Sequence, residues 1–291
     1  MEYIRIISGK GCFSERTNRG WNNGGRRKIR KRVRRNMKKV SLIMTTYNSK
    51  ENFKKTYGSI CSQDYPQIEV IVVDGASTDG TREEIEMRAK ENPAMRWISE
   101  KDTGIYDALN KGIRMATGDI IAIMNDEYAC VDAVSRFVNA IETEHSDGVH
   151  SDLIYQDENG RCIRKWHMGQ GKIRSGWMSG HPTLFLKREI YEKYGLYKEN
   201  YRSAADYEFM VRILNDGKVR LSYIPKVLVN MYYGGTSNRG LKGYARSFAE
   251  GVRALRENGV KGALWITLLR TVRVMGQFRG SGRIKNETAG N

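Results

Sequence analysis

The chain has 291 residues, 40% of them hydrophobic, which allows one large α/β domain with appendages or two small domains around a sizeable core. The formal net charge is +17, but residues 1–39 hold 14 Lys and Arg against 2 Glu, so +12 sits in the N-terminal arm and +5 in the rest. Four scattered cysteines (Cys12, Cys61, Cys130, Cys162) exclude a Cys-x-x-Cys zinc or redox motif and a disulfide framework, and they fit a reducing cytosol.

Residues 1–38 are read as a basic arm, densest from Arg26 to Lys39. Like charges at that density repel, so the arm is expected to be disordered by itself. Such a run can bind anionic lipid or nucleic acid, or remain solvated. It has no aromatic interleaving and belongs to no recognisable nucleic-acid module, which disfavours nucleic acid as a partner. The apolar run at residues 3–8 is too short for the core of a signal peptide. No stretch reaches the roughly 18 apolar residues needed to span a bilayer.

Organised sequence starts at Val40. Residues 40–45, 68–74, 95–99 and 119–124 are apolar, β-branched runs that read as buried strands. Residues 50–63, 82–92 and 105–115 between them read as helices. This alternation implies βαβ units and a sheet covered on both faces. Further on, 132–144, 187–194 and 204–215 read as helices, and 148–155, 161–166, 183–186, 220–224 and 227–231 as strands. Two C-terminal helices are expected at 241–258 and 260–277. Cys61 and Cys130 lie in apolar stretches and are expected to pack as small hydrophobes.

Ligands of open α/β sheets bind at the carboxyl ends of the strands. Three predicted strands end in polar clusters: Thr45-Thr46-Tyr47-Asn48, Asp74-Gly75-Ala76-Ser77 and Asn125-Asp126-Glu127. Parallel strands would bring these to one rim. The carboxylates of Asp126 and Glu127 would repel unless neutralised, and Mg²⁺ or Mn²⁺ shared with a diphosphate would neutralise them. A surface turn capping the next helix explains the pair about equally well. Neither a P-loop nor a Rossmann glycine fingerprint is present.

Four segments in order resemble inverting glycosyltransferases of family 2 with the GT-A fold: 40–48, 72–81, 99–112 (Ser-Glu-Lys-Asp-Thr-Gly-Ile-Tyr-Asp-Ala-Leu-Asn-Lys-Gly) and Ala116-Thr117-Gly118-Asp119. They cover about 80 residues with the stretches between them, and weaker similarity runs to about Ser237. The resemblance implies an α/β domain with a mixed, mostly parallel sheet flanked by helices. It also implies a catalytic domain at 39–237 and a C-terminal helical extension at 238–291. It assigns Thr45 and Tyr47 to the nucleoside, Asp74 to the base, and Asp102 and Asn110 to the donor pocket. Asn125 and the metal ligands Asp126 and Glu127 fall at the diphosphate motif. Relatives often show Asn-x-Asp-Asp where this chain has Asn125-Asp126-Glu127-Tyr128, so the carboxylate that holds the metal stays open. Asp206, in a matching segment at the start of a helix, is the implied catalytic base, and Glu208 should face elsewhere. His181 is implied near the donor phosphate or acceptor, followed here by Pro182 where many relatives carry Gln. Gly234-Gly235-Thr236-Ser237 resembles a loop that closes over the diphosphate.

Trp166, Trp177 and Met178 fall on the acceptor side, where aromatic faces support sugars, although core packing is the more ordinary use. The last helices mix apolar and basic residues, which suits either an anionic membrane surface or packing on the catalytic domain. The implied activity is hexosyl transfer from a nucleotide-sugar donor, by resemblance a UDP-sugar, to a saccharide or lipid-linked acceptor in cell-surface polysaccharide synthesis. The implied location is the cytoplasm, peripherally on the inner face of the cell membrane. Two rivals remain: a degenerate GT-A domain that binds nucleotide sugar without transfer, and a nucleic-acid binder acting through the arm.

Overall fold

The computed structural model describes residues 37–157, 159–232 and 240–277. The basic arm up to residue 36 and the loop 234–237 lie outside the described residues. The chain begins with three βα units. Strand β1 (Val40–Thr46) leads to helix α1 (Lys50–Cys61), β2 (Ile68–Asp74) to α2 (Thr81–Glu91), and β3 (Met95–Ser99) to α3 (Ile105–Met115). Then come β4 (Ile120–Ile123), the short β5 (Glu127–Tyr128) and α4 (Ala133–Glu144). The second half holds β6 (Gly148–Gln156), β7 (Cys162–Trp166), β8 (Phe185–Lys187), α5 (Arg188–Tyr194), α6 (Ala205–Leu214) and β9 (Leu221–Tyr232). Helices α7 (Gly240–Glu257) and α8 (Ala263–Gly276) end the described chain.

Among the described residues the strands form one sheet in the order β3-β2-β1-β4-β8-β6-β9-β5, with β7 on β6. Strands β3, β2, β1 and β4 run parallel, as their unbroken apolar character requires of strands covered on both faces. Strand β8 is antiparallel to both β4 and β6 and turns the sheet from its first half to its second. The register pairs Thr46 with Asp74 and Ile43 with Ile123, so the three polar clusters do share one rim.

Two glycines of the recognised segments are close-approach residues. A Cβ on Gly112 would lie 2.4 Å from Ile43 Cγ2, so α3 packs directly on β1. A Cβ on Gly118 would lie 2.7 Å from the Ser41 backbone nitrogen, so only glycine fits beside β1 there. The Gly118 N–H donates to Ser41 Oγ at 2.8 Å and to Glu69 at 3.1 Å. Asp119 accepts from the Lys39 backbone N–H at 2.8 Å. The Ala116–Asp119 segment is therefore a clamp on the start of β1.

Three expectations need correction. The strands expected at 220–224 and 227–231 are one strand, β9, because register shifts against β6 absorb Pro225 and Lys226 and let pairing resume at Val227. Thr183 lies in a short 3₁₀ turn (His181–Thr183) ahead of β8, with Pro182 near its start. Cys61, the last residue of α1, is exposed rather than packed, since that helix buries Phe53, Thr56, Tyr57 and Ile60. Trp177 is buried, with its indole N–H bonded to the Met168 carbonyl at 3.0 Å, as a core role predicts. The core joins Ile43, Leu109 and Ile123 to Tyr191, Tyr197 and Phe209, and onward to Val252, Leu255 and Ile266 of the last helices.

Candidate active site

A cleft of about 440 Å³ opens at the carboxyl ends of β1 and β4. Thr45, Tyr47, Asp102 and Asn125 line it, as do Asn52, Phe53 and Thr56 from α1. Asn125 accepts from the Thr45 backbone N–H at 2.8 Å and donates to Thr45 Oγ1 at 2.9 Å, which locks the two strand ends together. Tyr47 stands at the lip with 64% of its surface free, a flat face for a base to stack on. The loops of the rim are held in left-handed turns at Asn48 and Ala76, a conformation non-glycine residues adopt at a cost. The Asn48 backbone N–H donates to Ser77 Oγ and the Thr78 N–H to Asn48 Oδ1, both at 2.8 Å, and these bonds hold the strained turns.

Asp74 and Asn110 do not line this cleft. Asp74 is fully buried and accepts from the Ser77 N–H at 3.0 Å, from Ser77 Oγ, and from Ser99 Oγ at 2.6 Å. Three of its roughly four acceptor sites are filled, and its full burial keeps the remaining one from the cleft. Asn110 is also buried: its amide donates to the Tyr197 carbonyl and to Glu199, each at 2.9 Å, and accepts from the Tyr197 N–H at 3.0 Å. In this structure it ties α3 to the segment before α6 and lines neither this cleft nor the cavity of Asp206.

A second cavity of about 360 Å³ adjoins the first, and Ile105 lines both. Its walls include Tyr106, Tyr155, Trp166, Met178, His181 and Asp206, with Arg202 and Arg246 at the edge. Asp206 lies in the first turn of α6, where the helix dipole favours a carboxylate. His181 Nδ1 stands 3.7 Å from Asp206 Oδ2, and Tyr106 donates to Asp206 Oδ1 at 3.4 Å. Burial opposes ionisation of Asp206, but His181, the Tyr207 N–H and the Arg270 guanidinium together hold its carboxyl below the ordinary value. Burial likewise opposes a charged His181, yet Asp206 and Asp126 raise its imidazole above the ordinary value. Glu208 faces away, fully buried, in ion pairs with Lys198 at 2.9 Å and Arg212 at 3.0 Å.

The acidic pair is split by its surroundings. Glu127, on β5, accepts a hydrogen bond from the Tyr232 hydroxyl. Asp126 is buried, accepts one long bond of 3.4 Å from the Tyr232 N–H, and has its carboxyl pushed up to about 6, chiefly by burial. That is a carboxylate short of positive charge. No group of three or more His, Cys, Asp or Glu among the described residues forms a ready-made metal cage. A divalent cation completed by diphosphate oxygens and water would need only one or two protein carboxylates, and Asp126 fits that part.

Residue patterns did not disclose several members of the site. Tyr106 is inside the recognised segment at 99–112 without an assigned role. Tyr232 has no motif around it. Arg270 comes from α8, 64 positions after Asp206, and stacks 4.0 Å over the Tyr207 ring. Only the fold brings these together.

The model of the family described as glycosyl transferase family 2 matches residues 41–203, more than half of the chain. The chain belongs to glycosyltransferase family 2. The match ends three residues before Asp206. Among curated relatives, the chain is 29% identical over 204 residues to a PGL/p-HBAD biosynthesis glycosyltransferase of Mycobacterium bovis, covering 68% of this chain and 78% of the relative. Its fold matches TarS 1–349 of S. aureus in complex with UDP-GlcNAc at a TM-score of 0.63 and 19% identity, over 82% of this chain and 73% of that one. A mannosyltransferase from Pyrobaculum calidifontis, solved with GDP-Man and Mn²⁺, matches at 0.57 and 20% identity, over 82% and 75%. At such identities the likeness is one of fold, and that fold is GT-A. The family 2 chain has no helix among its described residues long and apolar enough to cross a membrane.

Proposed function

We propose that this family 2 glycosyltransferase inverts the anomeric centre as it moves a hexose from a UDP-sugar to a saccharide or lipid-linked acceptor. The product would be cell-surface polysaccharide, made at the cytoplasmic face of the membrane. The observation that carries the reading is the position of Asp206. Its carboxylate is held ionised beside His181 in the cavity that adjoins the Thr45–Asn125 cleft.

In this reading the donor nucleoside lies in the cleft against Tyr47, and the sugar points past Ile105 to Asp206. The acceptor enters the cavity between Trp166, Tyr155 and Met178, whose surfaces suit a sugar face. Asp206 takes the proton of the acceptor hydroxyl as its oxygen bonds to the anomeric carbon. The bond from that carbon to the diphosphate breaks, and the diphosphate leaves with the electron pair. His181, whose imidazole Asp206 and Asp126 raise above its ordinary value, favours the ionised form of the base. A Mg²⁺ or Mn²⁺ ion on Asp126 would supply positive charge to the departing diphosphate. The catalytic unit spans 39–237, and the C-terminal extension 238–291 carries helices α7 and α8.

Release of nucleotide from UDP-glucose, UDP-galactose and UDP-GlcNAc, with and without Mn²⁺, tests the proposal. Wild-type protein should release UDP from one of them, and Asp206→Asn should slow release by about 10²–10⁴-fold while still binding UDP. Equal rates in the two proteins would remove Asp206 from the mechanism. A folded chain that binds UDP without any turnover would be a donor-binding domain instead.

A further inference from the structure

Helix α8 is amphipathic in an unusual sense: it buries one face on the protein and leaves an apolar face uncovered. Ala263, Ile266 and Thr267 point inward, and the Arg270 guanidinium stacks over Tyr207. Leu264, Trp265, Leu268, Val272 and Met275 are each between 45% and 66% exposed. At about 100° per residue, these five positions fall within an arc of about 100°, opposite the buried set. Scattered exposed apolar residues need no explanation, but a contiguous stripe does. Arg256 and Lys261 border a shallow groove with Leu264, Trp265 and Leu268, whereas Arg273 lies toward the packed side and donates to the Ser175 carbonyl at 3.0 Å. The sequence carries no Asp or Glu between Glu257 and Glu287.

We infer that the Leu264–Met275 face of α8 docks in the interface of an anionic lipid bilayer, with Trp265 at headgroup level and Arg256 and Lys261 on lipid phosphates. The charge pattern selects this occupant over a second copy of the chain. A two-fold dimer through this face would set its cations against their own copies, whereas a negative membrane surface complements them. An apolar stripe with cations at its margin is the composition of an interfacial helix. The position also serves the reaction. Gly243 and Arg246 of α7 line the cavity of Asp206, and α7 packs against α8 through Leu255 and Ile266. A lipid-linked acceptor would thus meet the cavity one helix away from the bilayer. This inference deepens the membrane-side reading proposed above and rests on it for its purpose.

The test is co-sedimentation of the full chain with vesicles of phosphatidylcholine alone or mixed with phosphatidylglycerol, with UDP release measured on the same samples. Wild type should pellet with the mixed vesicles and much less with the neutral ones. Leu264→Ser/Leu268→Ser should cut the bound fraction about tenfold, and Arg256→Glu/Lys261→Glu should do so as well, with UDP release unchanged in solution. Three results would overturn the inference: wild type remaining in the supernatant with mixed vesicles, serine variants binding as wild type does, or sedimentation velocity showing a dimer that the serine variants dissolve. Turnover without vesicle binding defeats this inference and spares the function proposed above. Vesicle binding without turnover does the reverse.

Discussion

Replacing Glu69 with Gln probes the clamp that fixes the start of β1. The Glu69 carboxylate, buried on β2, accepts from Ser41 Oγ at 2.5 Å, from the Thr117 N–H at 2.6 Å, from Thr117 Oγ1 at 2.7 Å and from the Gly118 N–H, and it pairs with Lys39 at 2.5 Å. Burial by itself would raise this carboxyl, but Lys39, Ser41 and Thr117 bring it from 4.5 down to about 2. At about 1.4 kcal/mol per tenfold, that difference is worth about 3 kcal/mol. Lys39 is 42% exposed, so its share is screened, and Glu69→Gln should cost about 2 kcal/mol at neutral pH. The glutamine amide would also set its N–H groups against the donors of Thr117. Because the folded value lies below the unfolded one, the stabilisation is present above pH 4.5 and is lost as pH falls toward about 2. Urea unfolding of both proteins at neutral pH and at about pH 3 reads this out. The gap should be full at neutral pH and shrink in acid. A gap below about 0.5 kcal/mol at neutral pH, or one that does not change in acid, would refute the reasoning.

Other outcomes follow from the same geometry. Asp126→Asn should abolish the extra thermal shift that Mn²⁺ adds to UDP, whereas Glu127→Gln should keep it, because Glu127 is engaged by Tyr232; the opposite order would reassign the metal. Asn110→Ala should destabilise the fold by about 1–3 kcal/mol and leave UDP affinity unchanged, as calorimetry and unfolding can check together. His150 is buried between Trp177 and Tyr223 with Nδ1 unpaired among the described residues, and burial brings its imidazole down to about 4. Its folded value is depressed, so stability should fall by about 3 kcal/mol as pH drops from 6.5 toward 4. His150→Phe should flatten that part of the profile, and an unchanged slope would place the effect elsewhere.

The parallel half of the sheet was legible because uninterrupted apolar runs and polar strand ends are local signals. Thr45, Tyr47 and Asn125 stood at those ends, Asp102 came from the family resemblance, and the four share one cleft. Asn110 lies outside that cleft, and a buried amide that ties two segments together looks like a ligand-binding amide in sequence. Gly118 and Asp119 carried the resemblance for a structural reason, the clamp on β1, rather than a chemical one. The carboxylates of Asp126 and Glu127 were indistinguishable until Tyr232, 105 residues beyond Glu127, engaged one of them. Residues 220–224 and 227–231 were read as separate strands, but pairing through a bulge is set by the neighbouring strand and not by the local sequence. Arg270 was read only as part of a basic helix, since its stacking on Tyr207 depends on how α8 returns to the core.

The central claim is inverting transfer with Asp206 as base, and water can stand in for the acceptor. Proton NMR of the UDP-sugar that supports nucleotide release, followed in time with Mn²⁺, reports the anomer of the first free sugar before it mutarotates. The account predicts that the α-linked donor yields the β-anomer first, and that Asp206→Asn loses this signal while still binding UDP. Appearance of the α-anomer first, or undiminished hydrolysis by Asp206→Asn, would contradict it.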